Sequence, residues 1–377
     1  MVISESKVAL LLPSLEGGGT ENFIVNLANQ LASSNLAVDL VVGQKKGPFL
    51  SDVSASVQII EFATDVKLRV LFKAIKYLRT AKPDIVMSSL DHYNIIMILA
   101  AKLAGYKGRK IISQRATIGP VYRHNSWLKR KIYLFLIRIT YPQADAIICN
   151  SQTAARELSQ EFNVDEASLN TIHNWVDIDK INLLAKENID HKWYQRSKQP
   201  LLVSIGSVSP IKDRKTLIEA FAIVRKRFDA RLAIIGACPD PNELSEINNL
   251  IESKGLADHI LVAGFEKNPY KWIEKADLLV GSSTTEGCPN HILEGLALNK
   301  AIVATDCPGD TAFLLENGKW GELVPVGNSE KMAIAICAKL ASRGKIASNE
   351  RALHFSVTRV LNLYLEILFE AKRNLVS

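Results

Sequence analysis

Two glutamates stand eight positions apart in the stretch 281–309, GSSTTEGCPNHILEGLALNKAIVATDCPG: Glu286 closes a run of small polar residues, and Glu294 follows two helical turns later. Carboxylates accept hydrogen bonds, so such a pair can hold vicinal hydroxyls, whereas it repels a phosphate placed against it. Between them Gly287-Cys288-Pro289-Asn290 has the character of a loop entering a helix. A helix N-terminus presents free backbone N–H groups and the positive end of the helix dipole, which suits an anion such as phosphate. Together these residues fit a ligand with both sugar hydroxyls and phosphate, a description that a nucleotide sugar meets. An ordinary helix start, capped by Thr284 or Thr285 with Glu294 exposed, would use the same residue types.

The elements that must position this stretch follow from apolar runs. Residues 276–280 read as a buried strand ahead of the loop, and further strands are expected at 200–205, 231–236, 260–265, 301–305 and 320–326, with helices at 216–228, 242–254 and 329–342. The first half alternates in the same way: strands at 7–13, 38–42, 57–62, 84–88, 110–113 and 146–150, and helices at 21–33, 68–80, 93–104 and 127–139. Alternation of this kind predicts an α/β chain of doubly wound parallel sheets covered on both faces. At 377 residues it should hold two domains. We expect them at 1–177 and 200–352, with a linker at 178–199 and a terminal helix in 353–377.

In the first half the glycine loop Gly17-Gly18-Gly19 feeds a helix carrying Glu21. Lacking G-x-G-x-x-G, it disfavours an NAD enzyme. The polar strand ends place Asp91, His92 and Arg115 in the same crevice, as candidates for holding an acceptor. His92 is equally readable as a structural histidine.

The order Glu286-Gly287-x-Pro289-Asn290 with Glu294, then 304–309 (ATDCPG) and Gly321-x-Leu323-Val324-Pro325-Val326-Gly327, resembles the retaining glycosyltransferases of family 4, which have the GT-B fold. Members similar to it build bacterial cell-surface polysaccharides. The resemblance implies two Rossmann-like domains facing across a cleft, the last helix crossing back to the first. The second would bind a nucleotide-diphosphate sugar, expected to be uridine-based, and the first a lipid-linked glycan or other sugar acceptor.

It also implies site residues. Gly18, Gly19 and Glu21 match a Gly-Gly-x-Glu loop set against the donor phosphates or the acceptor; a turn needing positive φ is the plainer cause of a single glycine. Lys212 matches a diphosphate clamp, while Ser207 stands where relatives usually carry arginine, leaving Arg214 or Lys215 as a replacement charge. Phe265 would stack on the base or serve as a core aromatic. Relatives often have histidine where Arg115 stands; arginine is no base near neutral pH, so its part would be electrostatic, on a leaving phosphate or an anionic acceptor. The candidate catalytic set is Glu286, Lys212 and Arg115; the donor set adds Gly18, Gly19, Ser207, Arg214, Phe265, Gly287, Cys288, Pro289, Asn290 and Glu294. No Asp-x-Asp stands at a strand end, so no metal and no cofactor is expected.

Composition sets bounds. The net charge of +7 favours polyanions or anionic lipid, although an ordinary basic enzyme has the same balance. No aromatic-basic module supports a nucleic-acid partner. Cys149, Cys238, Cys288, Cys307 and Cys337 are scattered, which suits reduced thiols in a cytoplasm. The N-terminus reads as a first strand, and no apolar run is long enough to span a bilayer, so a membrane role would be peripheral, on the inner face. The segment 122–138, with Lys129, Arg130 and Lys131 beside Trp127, Tyr133 and Phe135, would either dock on anionic headgroups or pack as a core helix with a basic end. A nucleotide-sugar epimerase and a non-catalytic nucleotide-sugar-binding protein are the alternatives on this fold.

Overall fold

The computed structural model describes residues 6–16, 18–121, 126–194, 199–342 and 348–373. The chain divides into two compact units, Met1–Asn174 with Thr358–Ser377, and Trp175–Val357.

The first unit is a seven-stranded parallel sheet: β1 (Lys7–Leu12), β2 (Ala37–Val42), β3 (Val57–Glu61), β4 (Ile85–Ser89), β5 (Arg109–Gln114), β6 (Ala146–Cys149) and β7 (Leu169–Thr171), in the order β3-β2-β1-β4-β5-β6-β7. Its helices are α1 (Gly19–Ser33), α2 (Lys67–Ala81), α3 (Asp91–Ala104), α4 (Ile118–Val121), α5 (Trp127–Thr140) and α6 (Gln152–Phe162). Strands β1 and β4 are buried along nearly their whole length, as a sheet covered on both faces requires. Parallel neighbours need crossovers, and the helices supply them.

The second unit begins with α7 (Ile178–Leu184) and has six parallel strands: β8 (Leu201–Ile205), β9 (Arg231–Ile235), β10 (Ile260–Gly264), β11 (Leu278–Gly281), β12 (Ile302–Thr305) and β13 (Glu322–Val324), in the order β10-β9-β8-β11-β12-β13. Its remaining helices are α8 (Arg214–Arg225), α9 (Pro241–Ser253), α10 (Tyr270–Lys275), α11 (Asn290–Ala297), α12 (Thr311–Leu314), α13 (Ser329–Ser342) and α14 (Asn349–Leu353). Two apolar layers enclose this sheet: Val203, Leu279, Leu293 and Ile302 lie in one, Leu202, Phe221, Val280 and Val303 in the other. The last helix, α15 (Val357–Arg373), belongs with the first unit, where the buried Tyr364 ring packs 5.7 Å from Phe23.

In the stretch 178–199, α7 brings Ile181 into the second core, and Ala185 and Ile189 join it. Strand β7 and helices α12 and α14 were outside the sequence expectation. Each is three to five residues long, too short for periodicity to register.

In both sheets the strand order reverses once, between β1 and β4 and between β8 and β11. Chain crossing to opposite faces at such a point opens a crevice beyond the carboxyl ends of the strands, and ligands of doubly wound sheets bind there.

Candidate functional site

The second sheet's crevice is built from three loops. Residues 206–213 leave β8, 282–289 leave β11, and 306–310 leave β12. Hydrogen bonds lace them together. Thr284 N–H donates to Ile211 O at 2.8 Å and the Ser282 hydroxyl to Lys212 O at 2.7 Å. Glu286 N–H donates to Pro308 O at 2.9 Å, and Asp310 N–H to Gly287 O at 3.0 Å. Gly309 has φ +128°, and a Cβ there would lie 2.0 Å from Glu286 O, so the third loop closes on the second only with glycine.

Two charges meet at the centre. Lys212 Nζ lies 2.5 Å from Glu286 Oε1, which also accepts from the Ser283 hydroxyl at 2.6 Å. Burial works to raise the Glu286 pKa; the positive field of Lys212 and the hydrogen bonds from Lys212 and Ser283 outweigh it and hold the carboxyl below its ordinary value. The neighbouring His291 is pushed down to about 3, chiefly by burial and then by Lys212, and is neutral at physiological pH. Its ring leans over the end of β11, where a Cβ on Gly281 would come within 3.0 Å of Nε2.

Helix α11 starts beside this pair. Pro289 is its N-cap and supplies no side-chain cap, while the Thr284 and Thr285 hydroxyls donate to Ile211 O and Pro308 O. The capping role open to these threonines is therefore not the one they take. Cys288 is buried under the turn and Asn290 opens the helix. Two turns along, Glu294 is half-buried, and its carboxylate has no hydrogen-bond donor among the described residues. Burial pushes its pKa up to about 7. A carboxylate withdrawn from water without a donor is an acceptor waiting for hydroxyls.

The two replacement cations separate. Lys215 turns outward and pairs with Glu246 at 2.5 Å, so it does not reach the loop. Arg214 turns inward to 1% exposure, under Gly206. Ser207 shares a hydrogen bond with Ser209 at 3.1 Å. Phe265, at the end of β10, is 52% exposed, so it is not the core aromatic that was the alternative for it.

In the first unit Gly18 is the N-cap of α1 with φ −150°, and Gly19 is its first residue, so positive φ is not what glycine supplies at position 18. A Cβ on Gly18 would lie 2.5 Å from Glu21 Oε2, the movable tip of that side chain, so the Glu21 carboxyl sits against the bare glycine backbone. The Glu21 carboxyl is raised, first by burial. Gly17 lies outside the described residues. At the start of α3, Asp91 accepts from Gln114 Nε2 at 3.0 Å and from the Tyr141 hydroxyl at 3.4 Å. His92 is lowered by burial and then by Lys67, and its ring meets Tyr93 edge-on at 5.1 Å.

Arg115 differs from expectation. It is 8% exposed, its guanidinium donates to Asn174 Oδ1 and the Tyr364 hydroxyl, and it stacks 3.9 Å from the centre of the Phe23 ring. It thus ties β5 to the chain leaving the unit and to α15, a packing role in place of the electrostatic one expected.

Sequence reasoning did not give Ser204, Ser283 and Gly206 parts in the site. The first two are ordinary strand-end serines by type, and only the sheet order reveals that they converge.

Similarity to known proteins agrees with this geometry. Residues 17–180 match the family description "Glycosyltransferase Family 4" and residues 199–342 match "Glycosyl transferases group 1". A Campylobacter jejuni protein named N-acetylgalactosamine-N,N'-diacetylbacillosaminyl-diphospho-undecaprenol 4-alpha-N-acetylgalactosaminyltransferase is 28% identical over 86% of this chain and 88% of its own. The lipopolysaccharide core biosynthesis glycosyltransferase LpsE of Rhizobium meliloti is 25% identical over 93% and 96%. Among solved structures, Anabaena HepE with UDP and glucose superposes with a TM-score of 0.81 over 97% of this chain and 100% of that one, at 20% identity. The fold is that of the GT-B glycosyltransferases.

Proposed function

Because the chain belongs to glycosyltransferase family 4, we propose that it moves a hexose or N-acetylhexosamine from a UDP-sugar to a lipid-linked glycan, with retention at the anomeric carbon and without a metal. The observation that carries this reading is the charge layout beyond β8 and β11: a lysine able to exchange Glu286 for a phosphate, an uncapped helix start, and the unpartnered Glu294 two turns away. In this reading Glu294 accepts from the ribose hydroxyls. Glu286 and the 287–290 segment hold the sugar and the diphosphate, and Lys212 neutralises charge as the diphosphate leaves. The acceptor hydroxyl then attacks on the face the diphosphate vacates. Phe265 offers its exposed ring to the base, and Asp91, His92 and Glu21 are assigned to the acceptor. The UDP and glucose in the solved Anabaena HepE structure and the undecaprenol-linked substrate in the Campylobacter relative's name support the choice of donor and acceptor.

The acceptor lipid brings a membrane surface into the reading. No helix among the described residues is long and apolar enough to cross a bilayer. Helix α5, however, buries only Ile137 and Thr140 and exposes Trp127 (69%), Leu128, Ile132 and Phe135. Its inner face, Tyr133, Leu134, Leu136 and Ile137, packs on the first core, so the core-helix alternative and an exposed basic-aromatic face are both present; residues 122–125 of that segment lie outside the described residues. Helix α2 adds Leu68 and Phe72 (62%), and its Lys67 meets Tyr133 of α5. Neither helix contains an acidic residue, and together they carry nine basic ones, which suits anionic headgroups.

The test is UDP release by purified protein from a panel of UDP-sugars, in EDTA, with and without an undecaprenyl-diphosphate-linked saccharide. Release that needs the acceptor, with an unchanged anomeric configuration in the product, supports the reading. Release without acceptor, or none from any UDP-sugar, would sink it.

A further inference from the structure

Arg214 is one of the largest fully buried side chains of the protein. A guanidinium taken out of water normally sits against a carboxylate, because its desolvation costs several kcal/mol. Arg214 forms no ion pair with a carboxylate among the described residues, and Glu286 acts on it only through its field. Nη1 donates to the Ser204 hydroxyl at 2.5 Å and Nη2 to Gly206 O, both neutral, and Nε is buried with no hydrogen-bond partner. Burial lowers its pKa to about 10, which leaves it a cation at neutral pH.

Its place is informative. Gly206 has φ +124°, and a Cβ there would meet Lys212 Cε at 3.0 Å and Arg214 Nη2 at 3.3 Å. The lysine stem and the guanidinium therefore flank one glycine at the mouth of the crevice. Lys212 and Glu286 pair with each other and His291 is neutral, so neither of them forms an ion pair with Arg214. When Lys212 turns to a phosphate, Glu286 keeps the Ser283 hydroxyl and the field of the buried arginine.

We infer that Arg214 is the positioning residue of the phosphate site: it holds the Gly206–Lys212 turn from beneath, and the diphosphate of the bound ligand adds to the field of Glu286 as its counter-charge. This rests on the nucleotide-sugar reading of the same crevice. It adds a residue that touches no ligand, and acts through Gly206 and Lys212.

The experiment is titration calorimetry of wild type, Arg214→Met and Arg214→Lys with UDP, inorganic pyrophosphate and uridine. Removing one charge from a shielded site should weaken UDP and pyrophosphate by about tenfold or more in Arg214→Met, leave uridine unchanged, and cost Arg214→Lys no more than about threefold. Packing alone would lower uridine and UDP together, and that result, or an Arg214→Met that binds UDP like wild type, overturns the inference while the donor reading stands. Should Arg214→Met not fold, a tenfold loss in Arg214→Lys overturns it equally. Wild-type binding of pyrophosphate that depends on Arg214, with no binding of any nucleotide, keeps the inference and removes the nucleotide-sugar reading. Binding of neither removes both.

Discussion

The two sheets follow one plan, yet their crevices differ in what their polar groups are doing. Both reverse strand order once, and at both reversals a non-glycine residue sits at positive φ, Leu90 (φ 74°) after β4 and Asp213 (φ 41°) before α8. In the first unit a chain of side chains is linked across the crevice, although the Ser89 and Ser113 hydroxyls are buried with no hydrogen-bond partner. Ser88 donates to Asn94, Asn94 to Tyr141, Tyr141 to Gln114, and Gln114 to Asp91, while Arg115 is taken up by Asn174 and Tyr364. In the second, Lys212 and Glu286 pair with each other at the crevice, and the Glu294 carboxylate has no donor among the described residues. Topology decides where a crevice forms; whether its side chains are already paired decides what it binds.

The largest expected effect breaks the second crevice. Lys212→Ala removes the one cation of the loop with access to solvent, and we expect turnover to fall by about 100- to 1,000-fold, as for loss of a group that stabilises developing charge. Uridine affinity should be unchanged. Turnover equal to wild type would remove Lys212 from the chemistry. Next in size, Glu294→Ala should weaken UDP and uridine alike by roughly 10-fold, through the lost hydroxyl acceptor. Weakening of UDP alone would move Glu294 from the ribose to the phosphates.

Most strands of both sheets were legible in the sequence, because a strand buried on both faces is a continuous apolar run bounded by glycine or polar residues, as in 200–205 and 276–280. The stretch 281–309 pointed to its chemistry because loop, helix start and both glutamates are local in sequence. Lys212 was found by its matching position, and its partner was not: the pairing with Glu286 spans 74 residues and exists only because β8 and β11 are neighbours. The same limit applies to Arg214 and Arg115. A charged residue type gives no sign of facing inward, and both were expected to face a ligand, whereas burial is set by strands and helices remote in the chain.

Arg115 offers a smaller test, aimed at the first crevice. Arg115→Gln strands Asn174 and the Tyr364 hydroxyl and removes the stack on Phe23, a loss of about 2 kcal/mol. We expect the melting temperature to drop by a few degrees, with UDP affinity at its wild-type value. A stable Arg115→Gln with lowered turnover would return this arginine to the electrostatic role.

The smallest effect compares two carboxylates, both raised chiefly by burial. Glu157 in the first unit accepts from the backbone N–H groups of Ile118 at 2.5 Å and Gly119 at 2.7 Å; Glu294 accepts from none. With a pKa of about 7 against an ordinary 4.5, folded Glu294 holds a proton that the unfolded chain has released, so its contribution to stability falls as pH climbs through that interval. Glutamine cannot ionise. In the ligand-free protein, Glu294→Gln should match wild type near pH 4.5 and melt progressively higher than it up to about pH 7, the gap then staying constant. His291 acts in the opposite direction, losing stability as pH falls through about 6.5, but it is present in both proteins and cancels from the difference. Glu157 is raised as well, its two N–H donors only partly offsetting burial, so Glu157→Gln should also gain on wild type as pH rises, by less than Glu294→Gln does. A gap for Glu294→Gln that does not change with pH, or a Glu157→Gln gap that grows as much as that of Glu294→Gln, would mean that pairing does not distinguish the two crevices.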